Sequence, residues 1–123
     1  MRGLRLTLAF LSAACGPPEP EVVLLFPEDG DTVCGTPFAL QVAVDNFLLI
    51  EPGPESEVFG EGHVDIALNG QNRWMTADLI FSIPEVDEGV TLVEAFLVDG
   101  THHPIVPEVK DMATVTVDAS ACL

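Results

Sequence analysis

His63-Val64-Asp65-Ile66-Ala67-Leu68-Asn69-Gly70 leads into Asn72-Arg73-Trp74-Met75-Thr76. Its first six residues alternate, with Val64, Ile66 and Leu68 on one side, which is the period of a half-buried β-strand. Asn69 and Gly70 both tolerate positive φ, as a two-residue type I′ hairpin turn requires. The stretch therefore predicts a strand, a tight reversal and a second strand. The same alternation recurs on either side of it. Phe38, Leu40, Val42 and Val44 share one face, and Leu79, Phe81 and Ile83 share another up to the stop at Pro84. Val22-Val23-Leu24-Leu25-Phe26 is a short β-rich run ended by Pro27-Glu28-Asp29-Gly30-Asp31. Residues 90–98 are nearly continuously apolar and suit a central strand, and residues 113–118 set Val115 and Val117 against Thr114 and Thr116. After Phe47-Leu48-Leu49-Ile50, residues 51–62 read as a long acidic loop. No stretch carries the apolar spacing and caps of a helix, and no segment repeats.

About seven short strands, with turn signals roughly every 8–12 residues, predict an all-β fold. The expected architecture is an immunoglobulin- or fibronectin-like antiparallel β-sandwich, with a small barrel as the alternative. In such a sandwich the last strand often runs parallel to the lower part of the first, so its end lies near the first turn. Cys34 falls in that turn and Cys122 just past the last strand, 88 residues apart. The third cysteine, Cys15, lies far outside this region. A Cys34–Cys122 disulfide is expected, and in the chain-entropy picture it is worth about 4–5 kcal/mol. Neither cysteine has the close spacing of a zinc pair.

The 123 residues carry 20 acids against four Lys or Arg, a formal charge of −16, yet 48% are apolar and the mean hydropathy is +0.38. That hydropathy supports a packed core rather than disorder. The acidity excludes a phosphate-binding face for nucleic acid and adsorption to anionic lipid through protein charge. The charge is also uneven. Arg2 and Arg5 precede the apolar run Leu6-Thr7-Leu8-Ala9-Phe10-Leu11 and the small residues Ser12-Ala13-Ala14, and no acid occurs before Glu19. This is the pattern of an export signal over residues 1–14, and its apolar run is far shorter than the ~20 residues of a membrane span. Cys15 and the Pro-rich segment Gly16-Pro17-Pro18-Glu19-Pro20 then form a stiff spacer over residues 15–20, ahead of a β domain over residues 21–123.

Small residues directly before Cys15 resemble the lipobox of bacterial lipoproteins, in which the signal is cut before a cysteine that carries diacylglycerol. That family prefers Leu three residues before the cysteine, where this chain has Ser12, with Leu11 one step earlier. The domain itself resembles the small immunoglobulin-like domains of uncharacterised bacterial surface lipoproteins. The resemblance rests on a Pro-x-x-Gly turn at Pro27 to Gly30, on a Gly-His-x-His strand start read here as Gly62-His63-Val64-Asp65, and on His102-His103-Pro104 after the penultimate strand. Asp65 stands where the pattern has its second histidine. The resemblance implies a protein of the bacterial cell envelope, membrane-anchored through Cys15 or secreted, and implies no activity.

Among groups that could carry chemistry, the histidines stand out. His63 opens one strand, and His102 and His103 follow another that ends at the same edge of such a sandwich. With Asp65, or Asp99, they would supply the imidazole and carboxylate set of a Zn²⁺ or Cu²⁺ site; the plainer reading is ordinary loop hydrogen bonds. The acidic turns at residues 28–31 and 87–89 lack the spacing of a calcium-binding EF-hand loop. Trp74 reads as a core or sheet-covering aromatic, and an exposed Trp74 would instead be a platform for a sugar ring. No catalytic residue is expected: Ser56 and Ser82 have no nucleophile-elbow setting, and no phosphate-binding glycine loop is present. The expected function is a non-catalytic, lipid-anchored binding or structural module with a protein or glycan partner and no cofactor, a metal-binding envelope module being the alternative.

Overall fold

A computed structural model describes residues 18–53 and 58–123. The expected signal (residues 1–14), Cys15 and the first part of the spacer lie outside them. The described chain forms nine strands: β1 (Glu21–Phe26), β2 (Thr32–Val33), β3 (Phe38–Asp45), β4 (Leu48–Leu49), β5 (Glu61–Leu68), β6 (Gln71–Thr76), β7 (Ile80–Ile83), β8 (Gly89–Asp99) and β9 (Lys110–Val117). A 3₁₀ turn at Ala119–Ala121 follows, and the fold is all-β. The count exceeds seven because β2 and β4 are two residues each, too short to show a period in the sequence.

The strands form two sheets. One has the order β1-β3-β7, and the other runs β2-β9-β8-β5-β4 with β6 also on β5. One of the two sheets curls into a half-barrel. Pairing is antiparallel except at the two shortest strands: β2 runs parallel to β9 and β4 parallel to β5. The hairpin forms as expected, with Asn69 and Gly70 at φ 52° and 86°. Asn69 also ties the turn to β8, since its side-chain Oδ1 accepts from Leu92 N–H at 2.8 Å. Residues 90–98 are central, flanked by β5 and β9.

A single apolar core joins the sheets. Phe38, Leu40 and Val42 of β3 meet Val64, Ile66 and Leu68 of β5, with Val93, Ala95 and Leu97 of β8 and Ala113, Val115 and Val117 of β9. Alternation along each strand fills it from both sides. The expected face of residues 79–83 is shorter than its pattern. Leu79 is exposed and precedes β7, with its carbonyl already accepting from Val42 N–H of β3 at 2.8 Å.

Acidic residues cap backbone donors where β9 and β1 come together. At the outer edge of β9, Asp29 Oδ1 accepts from Thr114 N–H and the Asp31 carbonyl accepts from Thr116 N–H. Asp111 bridges the sheets: its Oδ1 accepts from Met112 N–H at 2.9 Å and its Oδ2 from Leu24 N–H of β1 at 2.8 Å. Charged caps of this kind blunt an edge that would otherwise template another strand. The pairing of β2 with the end of β9 brings Cys34 beside Cys122, and the two form a disulfide with Cα atoms 4.7 Å apart.

Two stability effects follow. Replacing both Cys34 and Cys122 by Ser is expected to lower unfolding stability by about 2–5 kcal/mol, seen as a lower urea midpoint. Asp111→Ala should cost about 1–3 kcal/mol in the same assay, because two backbone donors lose a charged acceptor at once.

Candidate functional site

Strict alternation would leave His63, Asp65 and Ala67 of β5 facing solvent. All three are buried; His63 is 1% and Asp65 7% exposed. Two loops at the start of β5 help to cover its outer face. After β4, Ile50 N–H donates to the Gly62 carbonyl at 2.7 Å, drawing the following residues against β5. After β8, the turn at residues 99–103 brings the His102 ring to 5.4 Å from the His63 ring, tilted by 54°. His102 Nε2 lies 3.0 Å from the Gly53 carbonyl and so joins the two loops.

The turn after β8 is built by Asp99. Its Oδ1 accepts from the N–H groups of Thr101 and His103 and from the Thr101 hydroxyl. The Thr101 hydroxyl, first among these, holds the Asp99 carboxyl below its usual range. His102 sits at φ 69°, a strained value for a side-chain-bearing residue, and its N–H donates to the Asp99 carbonyl. Gly62 lets β5 approach this region, since a Cβ there would collide with the Val98 carbonyl.

Inside this cover, His63 Nε2 and Asp65 Oδ1 are 3.3 Å apart, and neither atom has a well-aligned hydrogen bond. Burial pushes the His63 pKa below the ordinary 6.5; the Asp65 carboxylate opposes this and His102 adds to it. Burial pushes Asp65 above its ordinary 3.8, with His63 and His102 opposing. Both groups are thus driven toward their neutral forms, as desolvation requires. The other oxygen, Asp65 Oδ2, accepts from Asn72 Nδ2 at 3.2 Å.

The structure therefore brings His63, Asp65 and His102 together and leaves His103 apart. His103 is exposed, with Nδ1 3.0 Å from Thr101 Oγ1. Among the described residues, no three His, Cys, Asp or Glu side chains are grouped so as to hold a metal ion. The Thr101 hydroxyl gives its one proton to Asp99, so the Thr101–His103 contact braces a turn rather than activating a nucleophile. In the acidic turn at residues 28–31, Asp29 caps Thr114 N–H and Asp31 Oδ2 accepts from Glu28 N–H.

A second feature adjoins Asp65. β6 is an edge strand and all of it but Thr76 is exposed. Its register against β5 slips between Ile66 and Ala67, leaving Arg73 as an extra residue between Trp74, opposite Ile66, and Asn72, opposite Ala67. Such a bulge re-aims side chains. Here a depression of about 380 Å³ opens between Asp65, Asn72, Arg73, Trp74 and Met75. Trp74 keeps 37% and Met75 51% of its surface exposed. The sequence held a signal for this site that the alternation rule overrode: polar and aromatic residues crowd a strand whose partner also carries Asp65.

The buried pair makes stability depend on pH with opposite signs. A base whose folded pKa lies below its unfolded value binds protons better when unfolded, so stability is lost as pH falls through 6.5. An acid with a raised folded pKa works the other way, and acidification toward 3.8 adds stability. Urea titrations from about pH 7.5 to about pH 5.5 should therefore show His63→Gln losing less stability on acidification than wild type, and Asp65→Asn losing more.

Comparison of the chain with protein-family models, with curated proteins and with solved structures finds no match to any of them.

Proposed function

We propose that this chain is a non-catalytic binding or structural module of the bacterial cell envelope, an immunoglobulin-like β-sandwich held to a membrane by lipid on Cys15. The observation that carries this reading is the Cys34–Cys122 disulfide. Such bridges persist in oxidising compartments outside the cytosol. With these two cysteines joined, Cys15 is left as the remaining thiol, directly after the small residues of the lipobox-like stretch.

The fold half of the reading is supported by strand order. A three-stranded β1-β3-β7 sheet, with a second sheet in the order β2-β9-β8-β5 that carries both β4 and β6 on β5 and has β2 parallel to β9, resembles the connectivity of immunoglobulin-like domains. The anchoring half is supported by charge. Beyond residue 14, only Arg73 and Lys110 oppose 20 acids, so the protein surface is repelled by anionic lipid and a covalent anchor must supply membrane affinity. Two acyl chains suffice for stable anchoring. Binding is suggested by apolar loop tips at one end of the sheets, where Phe59 and Val106 are almost wholly exposed.

The test is expression of the full chain in a bacterium. Wild type is expected to partition into detergent with the mass of a diacylglycerol modification, and Cys15→Ser to appear unmodified in the aqueous phase. A wild-type chain lacking lipid and recovered wholly in the aqueous phase would overturn the anchoring.

A further inference from the structure

We propose that the end of the domain where the chain enters from Cys15 is a membrane-facing surface, on which Phe59 and Val106 enter the headgroup layer of the zwitterionic bilayer that holds the lipid. This rests on the tethered-module reading and names the partner of the apolar loop tips.

Strand directions place the tether and the tips together. β8 runs antiparallel to both β5 and β9, so Gly62 at the start of β5, Asp99 at the end of β8 and the start of β9 share one end of their sheet. β1 begins at Glu21, which pairs with Asp45 at the end of β3. Pro20, Glu21 and Glu108 line one groove, which brings the start of β1 to that same end. The disulfide and the C-terminus lie at the opposite end, where Val117 pairs with Gly89 and Val33.

Two short paths lead from the tether to the tips. Asn46 Nδ2 donates to the Glu19 carbonyl at 3.0 Å. Leu48 N–H, just beyond, donates at 3.0 Å to the carbonyl of Gly60, the neighbour of Phe59. On the other side, Val106 shortly precedes Glu108 of the groove beside Pro20. Phe59 is 99% and Val106 93% exposed; apart from the C-terminal Leu123, no other large hydrophobic among the described residues is exposed to that degree. Apolar side chains so presented mark a contact surface.

Chain length then identifies what covers them. From Cys15 to Glu19 the chain reaches at most about 14 Å. Diacylglycerol on Cys15 would fix that residue at the headgroups, so this end could not leave the bilayer by more than that reach. A domain already held there forfeits little further freedom when Phe59 inserts, and removing its ring from water favours insertion. Charge selects the lipid. Glu19, Glu21, Glu61 and Glu108 belong to this end, whereas Lys110 is held by Glu94 and Glu108 at 3.1 and 3.7 Å. An anionic bilayer meets a repulsive field there and a zwitterionic one does not.

Trp74 is the one tryptophan and there is no tyrosine, so a Trp74→Phe background is free for a placed probe. Phe59→Trp and Val106→Trp put it on the tips, and Leu123→Trp puts it at the far end. The full lipidated chains are reconstituted in phosphatidylcholine vesicles with brominated acyl chains. Emission from either tip should shift to the blue and be quenched at least two-fold more deeply than that of Leu123→Trp. Replacing part of the lipid by phosphatidylglycerol should lessen the quench. Absence of the excess quench at either tip would overturn the proposal, as would a deeper quench in the anionic vesicles. So would a dimer in detergent solution that Phe59→Asp dissociates, since a second copy would then be the occupant. A diacylated chain whose tips are not quenched refutes this face and leaves the tether; a chain without lipid refutes the tether and, with it, this face.

Discussion

Seven consecutive residues of β5 pair with β8, from Gly62↔Asp99 to Leu68↔Val93. The rest of the molecule depends on this ladder. It holds Val64, Ile66 and Leu68 in the core against β3, and it lines up the two loops that close over the other face of β5. Gly62 sits where it begins, and the close approach to Val98 there leaves room for no side chain. A β5 buried on both faces must carry polar side chains away from water, and His63 and Asp65 are the result. Their 3.3 Å contact is a weak bond for two buried groups. Each is pushed toward neutrality instead, which lets the pair remain inside without a full ion-pair desolvation cost.

The acidity of the chain takes on a second meaning in the folded state. Many of its carboxylates accept from backbone N–H groups where sheet pairing stops. Asp29 and Asp111 cap donors near β1 and β9, Asp31 caps Glu28 N–H within the turn at residues 28–31, Asp99 builds the turn over His63, and Asp118 and Glu88 cap the last 3₁₀ turn. An ionised acceptor makes these bonds stronger than neutral ones. The fold uses several of these acids to cap backbone donors at turns and along β9.

Much of the fold is legible in the sequence because it rests on local chemistry. Alternation in β3, β5 and β9 assigns inward faces that the core confirms, and Asn69-Gly70 marks a turn whose φ values leave little choice. The pairing of Cys34 with Cys122 followed from topology and from an odd cysteine count. The short strands β2 and β4 were illegible, since two residues have no period. His63 and Asp65 were singled out as polar residues of note, but their burial was not foreseen. A period of two says that they face away from the core; it cannot say what else lies on that side. Trp74, read as a core or sheet-covering aromatic, pairs with core residue Ile66 and keeps 37% of its surface exposed, and the one-residue register slip beside it has no signature in a single strand.

The sequence by itself determined the element types, the inward face of each long strand, the hairpin and the choice of disulfide, all of which depend on residue identity and near neighbours. Only the tertiary structure decided that His102 would lie on His63, that Asp65 would join His63 to Asn72, and that β6 would slip in register at Arg73. Each of those contacts joins residues on different strands or loops. Their distances are set by sheet curl, loop closure and register, which belong to the packed whole and not to any one segment.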